Sequence, residues 1–185
     1  RHEESSTSDW HASTIVTMRL NDALADHVVL ALIVEEPQHG FAIAKTLAED
    51  ELLAQVITLS RPLVYRSLST LVTRGLIRAT RTEPGKQGRE RTVYRATAAG
   101  SRSNREWLSS VVDHPRDARV DLLAKFVLRE RRGLDNATLA RRQIAEFAPL
   151  SERLGRSRSS DDVVSLWRRE SLQATMRVLR MRSGE

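Results

Sequence analysis

Residues Ser60 to Gly75 read SRPLVYRSLSTLVTRG, and their spacing predicts a short helix with one apolar side and one polar side. Ser60 offers an N-cap hydroxyl, Pro62 falls in the first turn where its missing N–H breaks no intrahelical bond, and Gly75 suits the C′ position. At about 100° per residue, Leu63, Val64, Leu68 and Leu71 form one stripe and Tyr65, Arg66, Ser69, Thr70 and Thr73 the other. The apolar stripe requires burial. The polar stripe carries the hydrogen-bonding groups and short hydroxyls that suit a helix laid in a DNA major groove. Taken alone, the pattern equally describes an amphipathic surface helix, since periodicity and caps carry no function.

The neighbouring residues decide between the two. After Gly75 come Leu76-Ile77-Arg78-Ala79-Thr80-Arg81, a loop Thr82 to Gly88 containing Pro84 and Gly85, and Arg89 to Ala96, which read as two strands around a turn. Between Arg61 and Arg95 stand eight Arg and one Lys against Glu83 and Glu90, a local charge of +7, whereas the whole chain balances 30 basic against 24 acidic residues, or +6. This one segment accounts for the entire basic excess. A helix followed by a basic hairpin is a winged helix-turn-helix arrangement, in which the helix places base contacts and the wing holds phosphates. The base-facing candidates are Tyr65, Arg66, Ser69 and Thr73; the phosphate candidates are Arg61, Arg78, Arg81, Lys86, Arg89 and Arg91.

Length and composition bound the alternatives. The 185 residues, 40% of them hydrophobic, suffice for two lobes, and the fold class expected is mainly α with a small β-hairpin wing. Without cysteine there is no disulfide framework or thiolate metal site, and with no apolar run near the ~20 residues of a membrane span the expected location is the cytoplasm. At 4% aromatic content, a surface that stacks single-stranded bases is disfavoured against duplex DNA. No Gly-rich phosphate loop, HExxH or paired nucleophile and base is present, which points away from an enzyme and calls for no cofactor. The competing non-enzymatic class is a winged helix that meets an acidic protein partner.

Three segments divide the chain: an arm over residues 1–18, a DNA-binding domain over 19–100 and a helical domain over 101–185. The arm is polar, Ser/Thr-rich and aperiodic, hence expected to be mobile; Met18 is a candidate start, and His2 and His11 lack further ligands for a metal. Leu24 to Val34 predicts a helix buried on most sides, with Asn21 or Asp22 as N-cap and Pro37 beyond its end. A second helix runs from Phe41 to about Leu53, with Phe41, Ile43, Ala44 and Leu47 as expected core contacts; Gly40 permits close backbone approach, and His39 is read as a turn or capping residue because no catalytic partner accompanies it.

Leu30-Ala31-Leu32-Ile33, Pro37, His39-Gly40-Phe41, Ser60, Tyr65, Leu68, Leu71, Gly75-Leu76-Ile77, Tyr94-Arg95-Ala96-Thr97 and Gly100 follow one another as in the PadR family of bacterial transcriptional regulators, which the chain resembles from Leu24 to Leu128. The resemblance continues through Glu106-Trp107-Leu108, Pro115-Arg116-Asp117 and Leu122-Leu123-Ala124-Lys125. Phe41 stands where the family has Tyr, and Arg61-Pro62-Leu63-Val64 where a small, often Gly-containing stretch is common. The resemblance implies a homodimeric regulator, a repressor, that binds an inverted repeat. It also implies that a small planar or hydrophobic effector can bind near Trp107, which is otherwise a core residue at a junction.

Beyond the wing the chain reads as helices: Thr97 to Val112 capped by Thr97, Arg116 to Arg132 up to Gly133, and Leu134 to Leu154 kinked or ended by Pro149. After the linker GRSRSS (155–160), Asp161-Asp162 place negative charge at the start of a last helix, Val163 to Met181. That helix carries two apolar stripes, Val163, Val164, Trp167, Ala174, Val178 and Met181 on one side and Leu172, Met176 and Leu179 nearly opposite. Two stripes suggest packing on its own body with one side and on a second copy with the other, unless the helix is central within one subunit. The dimerisation candidates are Val163, Val164, Trp167, Leu172, Met176 and Leu179.

Overall fold

The chain, in a computed structural model, is described over residues 8–84, 90–156 and 162–184, with side chains from Asp22 onward. It is mainly helical, with one small antiparallel sheet, and divides into two compact units. The first comprises Arg1–Glu49 and Leu59–Asn104; the second comprises Asp50–Thr58 and Arg105–Glu185.

In the first unit, α1 runs from Ser8 to Glu35. Asn21 and Asp22 therefore lie inside it and do not cap it, because no Gly or Pro interrupts the sequence between Ser8 and Glu36. Of the arm expected over 1–18, residues 1–7 lie outside the described residues and the backbone from Ser8 is helical. Val28 to Ile33 are buried on every side, as their unbroken apolar run requires. After Pro37, Gln38–His39 form a two-residue strand β1, followed by α2 (Gly40–Glu49) and, beyond the second unit's α3, by α4 (Arg61–Thr73). Strands β2 (Ile77–Pro84) and β3 (Glu90–Ala96) make the hairpin, and the sheet order is β1-β3-β2, with His39 opposite Val93. The hairpin slips at a bulge between Ala79 and Arg81, where the Thr80 hydroxyl donates to Val93 O at 3.2 Å.

The second helix ends at Glu49, short of the expected Leu53, because Asp50 starts a new turn: its Oδ1 accepts from the N–H groups of Leu52 and Leu53, capping α3 (Leu53–Val56). Asp50 also pairs with Arg131. Thr97 does cap α5 (Ala98–Ser109), its Oγ1 accepting from Gly100 N at 3.1 Å. The helix stops at Ser109, short of Val112, because Val112 is held by the buried Gln143 amide, which accepts from its N–H at 2.8 Å and donates to its carbonyl at 2.9 Å.

Further along the second unit, the expected single helix over 116–132 is α6 (Pro115–Asp117), a π-helical turn (Ala118–Leu122) and α7 (Leu123–Glu130). The next helix, α8 (Ala137–Arg156), starts after Asn136 and continues through Pro149, which neither ends it nor prevents two further turns' worth of chain. Then α9 (Val163–Ser183) begins at Asp162, whose Oδ1 accepts from Val164 N and Ser165 N. Leu122, Phe126, Leu139, Phe147, Leu172 and Met176 form the buried centre between these helices.

Candidate nucleic-acid interface

Helix α4 ends as its sequence demands and begins slightly differently. Ser60 occupies the N-cap in extended conformation, but its hydroxyl makes no cap hydrogen bond; its carbonyl takes the first helical N–H, from Val64, at 3.1 Å. At the other end Gly75 has φ 68°, with its N–H bonded to Val72 O and that of Leu76 to Leu71 O, each at 2.9 Å. This is a Schellman stop, which places a left-handed residue where only Gly sits without a Cβ penalty.

Burial sorts the faces. Val64, Leu68 and Leu71 are buried and Leu63 half-buried, while Tyr65 (53% exposed), Arg66, Ser69 and Thr73 face outward. Two positions escaped the sequence reading. Ser67 is fully buried beside Asp26 of α1, and Val72, 44% exposed, joins Tyr65 and Ser69 on the open face, where an isopropyl group suits a thymine methyl. The α2 start lies so close that a Cβ on Gly40 would stand 2.9 Å from both Leu68 Cδ1 and the Tyr65 ring. Asp26 is set into this packing: burial pushes its carboxyl above the ordinary value, against the lowering effects of the Ser67 hydroxyl and the Arg74 guanidinium, which lies 4.0 Å away.

Arginines of the segment divide by partner. Arg66 pairs with Asp22, and Arg81 with Glu83 at 2.7 Å, so both have intramolecular competition for an anion. Arg78 and Arg95 face each other across β2 and β3, both exposed, a like-charge pairing that destabilises a sheet on its own. Arg61 and Arg91 both lie over the Phe41 ring, their Cζ atoms 5.3 and 4.6 Å from its centroid. His39 Nδ1 accepts from Ala42 N at 2.9 Å, which makes it the N-cap of α2, and its Nε2 lies 3.5 Å from Arg91 Nη1. Lys86 and Arg89 lie outside the described residues. Tyr65, Ser69, Val72, Phe41, Arg61, Arg78 and Arg91 thus all belong to the first unit.

In the second unit, Trp107 is 7% exposed. The buried Lys125 ammonium sits 5.5 Å from its ring, 3.1 Å from Asp121 Oδ1, and donates to Ser110 O and Oγ at 3.2 Å. On α9 the two stripes part: Leu172, Met176 and Leu179 are buried in the unit's own core, so they are withdrawn as intersubunit contacts. Val163, Val164, Trp167 (73% exposed) and Met181 (72%) remain uncovered. Among the described residues no cluster of three or more His, Cys, Asp or Glu could hold a metal, and no helix is long and apolar enough to cross a membrane.

Residues 29–106 match the sequence model of the transcriptional regulator PadR-like family. Solved structures similar to it include Bacillus subtilis PadR in complex with operator DNA (18% identity, 86% of this chain and 92% of that one, TM-score 0.45). Others are the PadR-like transcriptional regulator BC1756 of Bacillus cereus (17%, 86% and 92%, TM-score 0.38) and the Vibrio cholerae virulence activator AphA (17%, 85% and 90%, TM-score 0.38). No curated protein matches the sequence.

Proposed function

We propose that this chain, a PadR-like protein over residues 29–106, is a sequence-specific DNA-binding transcriptional regulator that represses by occupying an inverted-repeat operator as a cytoplasmic homodimer. The observation that carries this reading is the coincidence, in one unit, of a helix with an open polar face and a basic hairpin. Tyr65, Arg66, Ser69, Thr73 and Val72 meet base edges; Arg61, Arg78, Arg81, Lys86, Arg89 and Arg91 meet phosphates, which supply affinity and salt dependence but no sequence information. The uncovered stripe of α9, rich in Val and Trp, supports a second copy as the partner that joins two half-sites.

An effector near Trp107 is supported by family resemblance alone, and it would relieve repression only by binding the DNA-incompetent arrangement more tightly. Trp107 fluorescence, read while aromatic and cationic compounds are titrated, tests it: a compound that quenches Trp107 must also weaken operator binding. The main reading is tested by gel shift of the protein on DNA from upstream of its own coding region, with a scrambled duplex as competitor. A shifted band that resists the competitor and fades steeply with salt is expected. Salt-insensitive association with an acidic protein, and none with duplex, would move the chain to the protein-interaction class.

A further inference from the structure

His39 stands where three elements of the first unit meet: it belongs to β1, pairs opposite Val93 of β3, and caps α2. Its Nδ1 accepts the Ala42 N–H at 2.9 Å. A ring nitrogen that accepts carries no proton, so in the neutral imidazole the single proton lies on Nε2. That Nε2–H lies 3.5 Å from Nη1 of Arg91, and a guanidinium has donors only. The two groups therefore cannot satisfy each other. Two N–H groups thus approach one region.

Charge makes the same demand. Arg66, Arg74 and Arg81 stand beside Asp22, Asp26 and Glu83, whereas neither Arg61 nor Arg91 has a carboxylate partner among the described residues. Both instead lie over one aromatic ring, Phe41, which is 38% exposed, so two cations are gathered on a single platform, while Glu83, opposite Arg91 across the hairpin, is engaged by Arg81 at 2.7 Å. What fits a donor pair flanked by gathered guanidinium groups is an anionic oxygen acceptor.

We propose that His39 Nε2–H and the Arg91 guanidinium together bind one phosphodiester of the DNA backbone, with Phe41 as the positioning residue that holds Arg91 and Arg61 for it. This rests on the DNA-binding reading and adds His39 and Phe41 to it. A phosphate contact fixes the register of the recognition helix without reading sequence. Here the contact ties the start of α2, the start of α4 and the wing strand to the same point on the duplex.

The test is fluorescence anisotropy with operator duplex and a random duplex of equal length, across salt. His39→Asn keeps an oxygen able to cap α2, since Asn is a favoured N-cap, but has no donor at the position of Nε2. It weakens both duplexes about tenfold, as loss of a hydrogen bond to a charged group does, and leaves the salt slope unchanged because a neutral group is lost. Arg91→Ala weakens both and lowers the slope by about 1. Combining the two adds less than the product of the single losses, because the same phosphate is already released. Phe41→Leu weakens both duplexes, and Phe41→Tyr restores parental binding. Parental affinity in His39→Asn, or losses that multiply in the double variant, overturns the proposal. Should His39→Asn fail to fold, single methylphosphonate linkages scanned along the operator decide: one linkage must weaken the parent but not Arg91→Ala, and the lack of any such linkage overturns it. A parent that binds neither duplex removes the DNA-binding reading itself, and the phosphate site with it.

Discussion

At the scale of single residues, Asp26 offers a test of packing that needs no DNA. Its folded-state pKa is raised by burial, so the fold favours the neutral carboxyl; that stability is present below the unfolded pKa and is lost as pH rises through the folded one. Asp26→Asn is expected to raise the unfolding midpoint at neutral pH, with the difference from the parent closing as pH falls into the acid range; a difference independent of pH would contradict it. Arg66 tests the proposed base-reading face. Its pairing with Asp22 is partly exposed, and such pairs contribute only about 0–1 kcal/mol, so a base edge or phosphate can compete for the guanidinium. Arg66→Ala is expected to lose about 1–3 kcal/mol on the operator and much less on random duplex, whereas Asp22→Asn tightens binding to both. Equal losses on the two duplexes would make Arg66 a phosphate contact. That Tyr65, Arg66, Ser69 and Thr73 face outward was legible from helical periodicity, but the exposure of Val72 was not, because an apolar side chain on a helix looks like core until its exposure is seen. Phe41 reads in the sequence as a core contact, yet it is exposed beneath two guanidinium groups: Arg91 is far from it in sequence, and the pairing of β1 with β3 brings them together.

At the scale of elements, α4 and the two basic strands followed from short-range chemistry, with Pro62 at the start of the helix and Gly75 at its stop, but the loop expected from Thr82 does not begin there, because β2 stays paired with β3 through Pro84. Less legible were the ends set by distant partners. Gln143 stops α5 by holding Val112, and Asp50 ends the α2 region by capping α3; neither leaves a local signal strong enough to outweigh continued helical propensity. The start of α1 was misplaced for the opposite reason, since plausible caps at Asn21 and Asp22 are not used when nothing breaks the helix before them. For the wing, the facing Arg78 and Arg95 make a prediction with two signs. Removing one charge relieves the cross-strand repulsion, so Arg78→Ala should unfold no earlier than the parent, while DNA affinity falls on all sequences and the log-salt slope drops by about 1. Thermal melting and salt-dependent anisotropy check both halves; an unchanged slope would place Arg78 off the DNA.

At the scale of the whole molecule, the proposed grip on two half-sites requires two copies of the chain. The sequence showed that α9 has two apolar stripes but could not say which one the chain itself uses; burial of Leu172, Met176 and Leu179 settles that side, and Val163, Val164, Trp167 and Met181 stay exposed. Trp167→Glu is expected to leave the thermal transition near that of the parent, shift sedimentation from dimer to monomer, and weaken operator binding by more than 10²-fold through loss of joint half-site engagement. A folded Trp167→Glu dimer would move the interface elsewhere. The central claim, that this is a regulator reading duplex DNA through paired α4 helices, is tested most directly by selection of the full-length protein's binding sites from a randomised duplex library. The enriched sequences are predicted to share two inverted half-sites whose centres lie about one helical turn, or a small multiple of it, apart. Recovery of sequences with no common motif, at the affinity of unselected DNA, would contradict it.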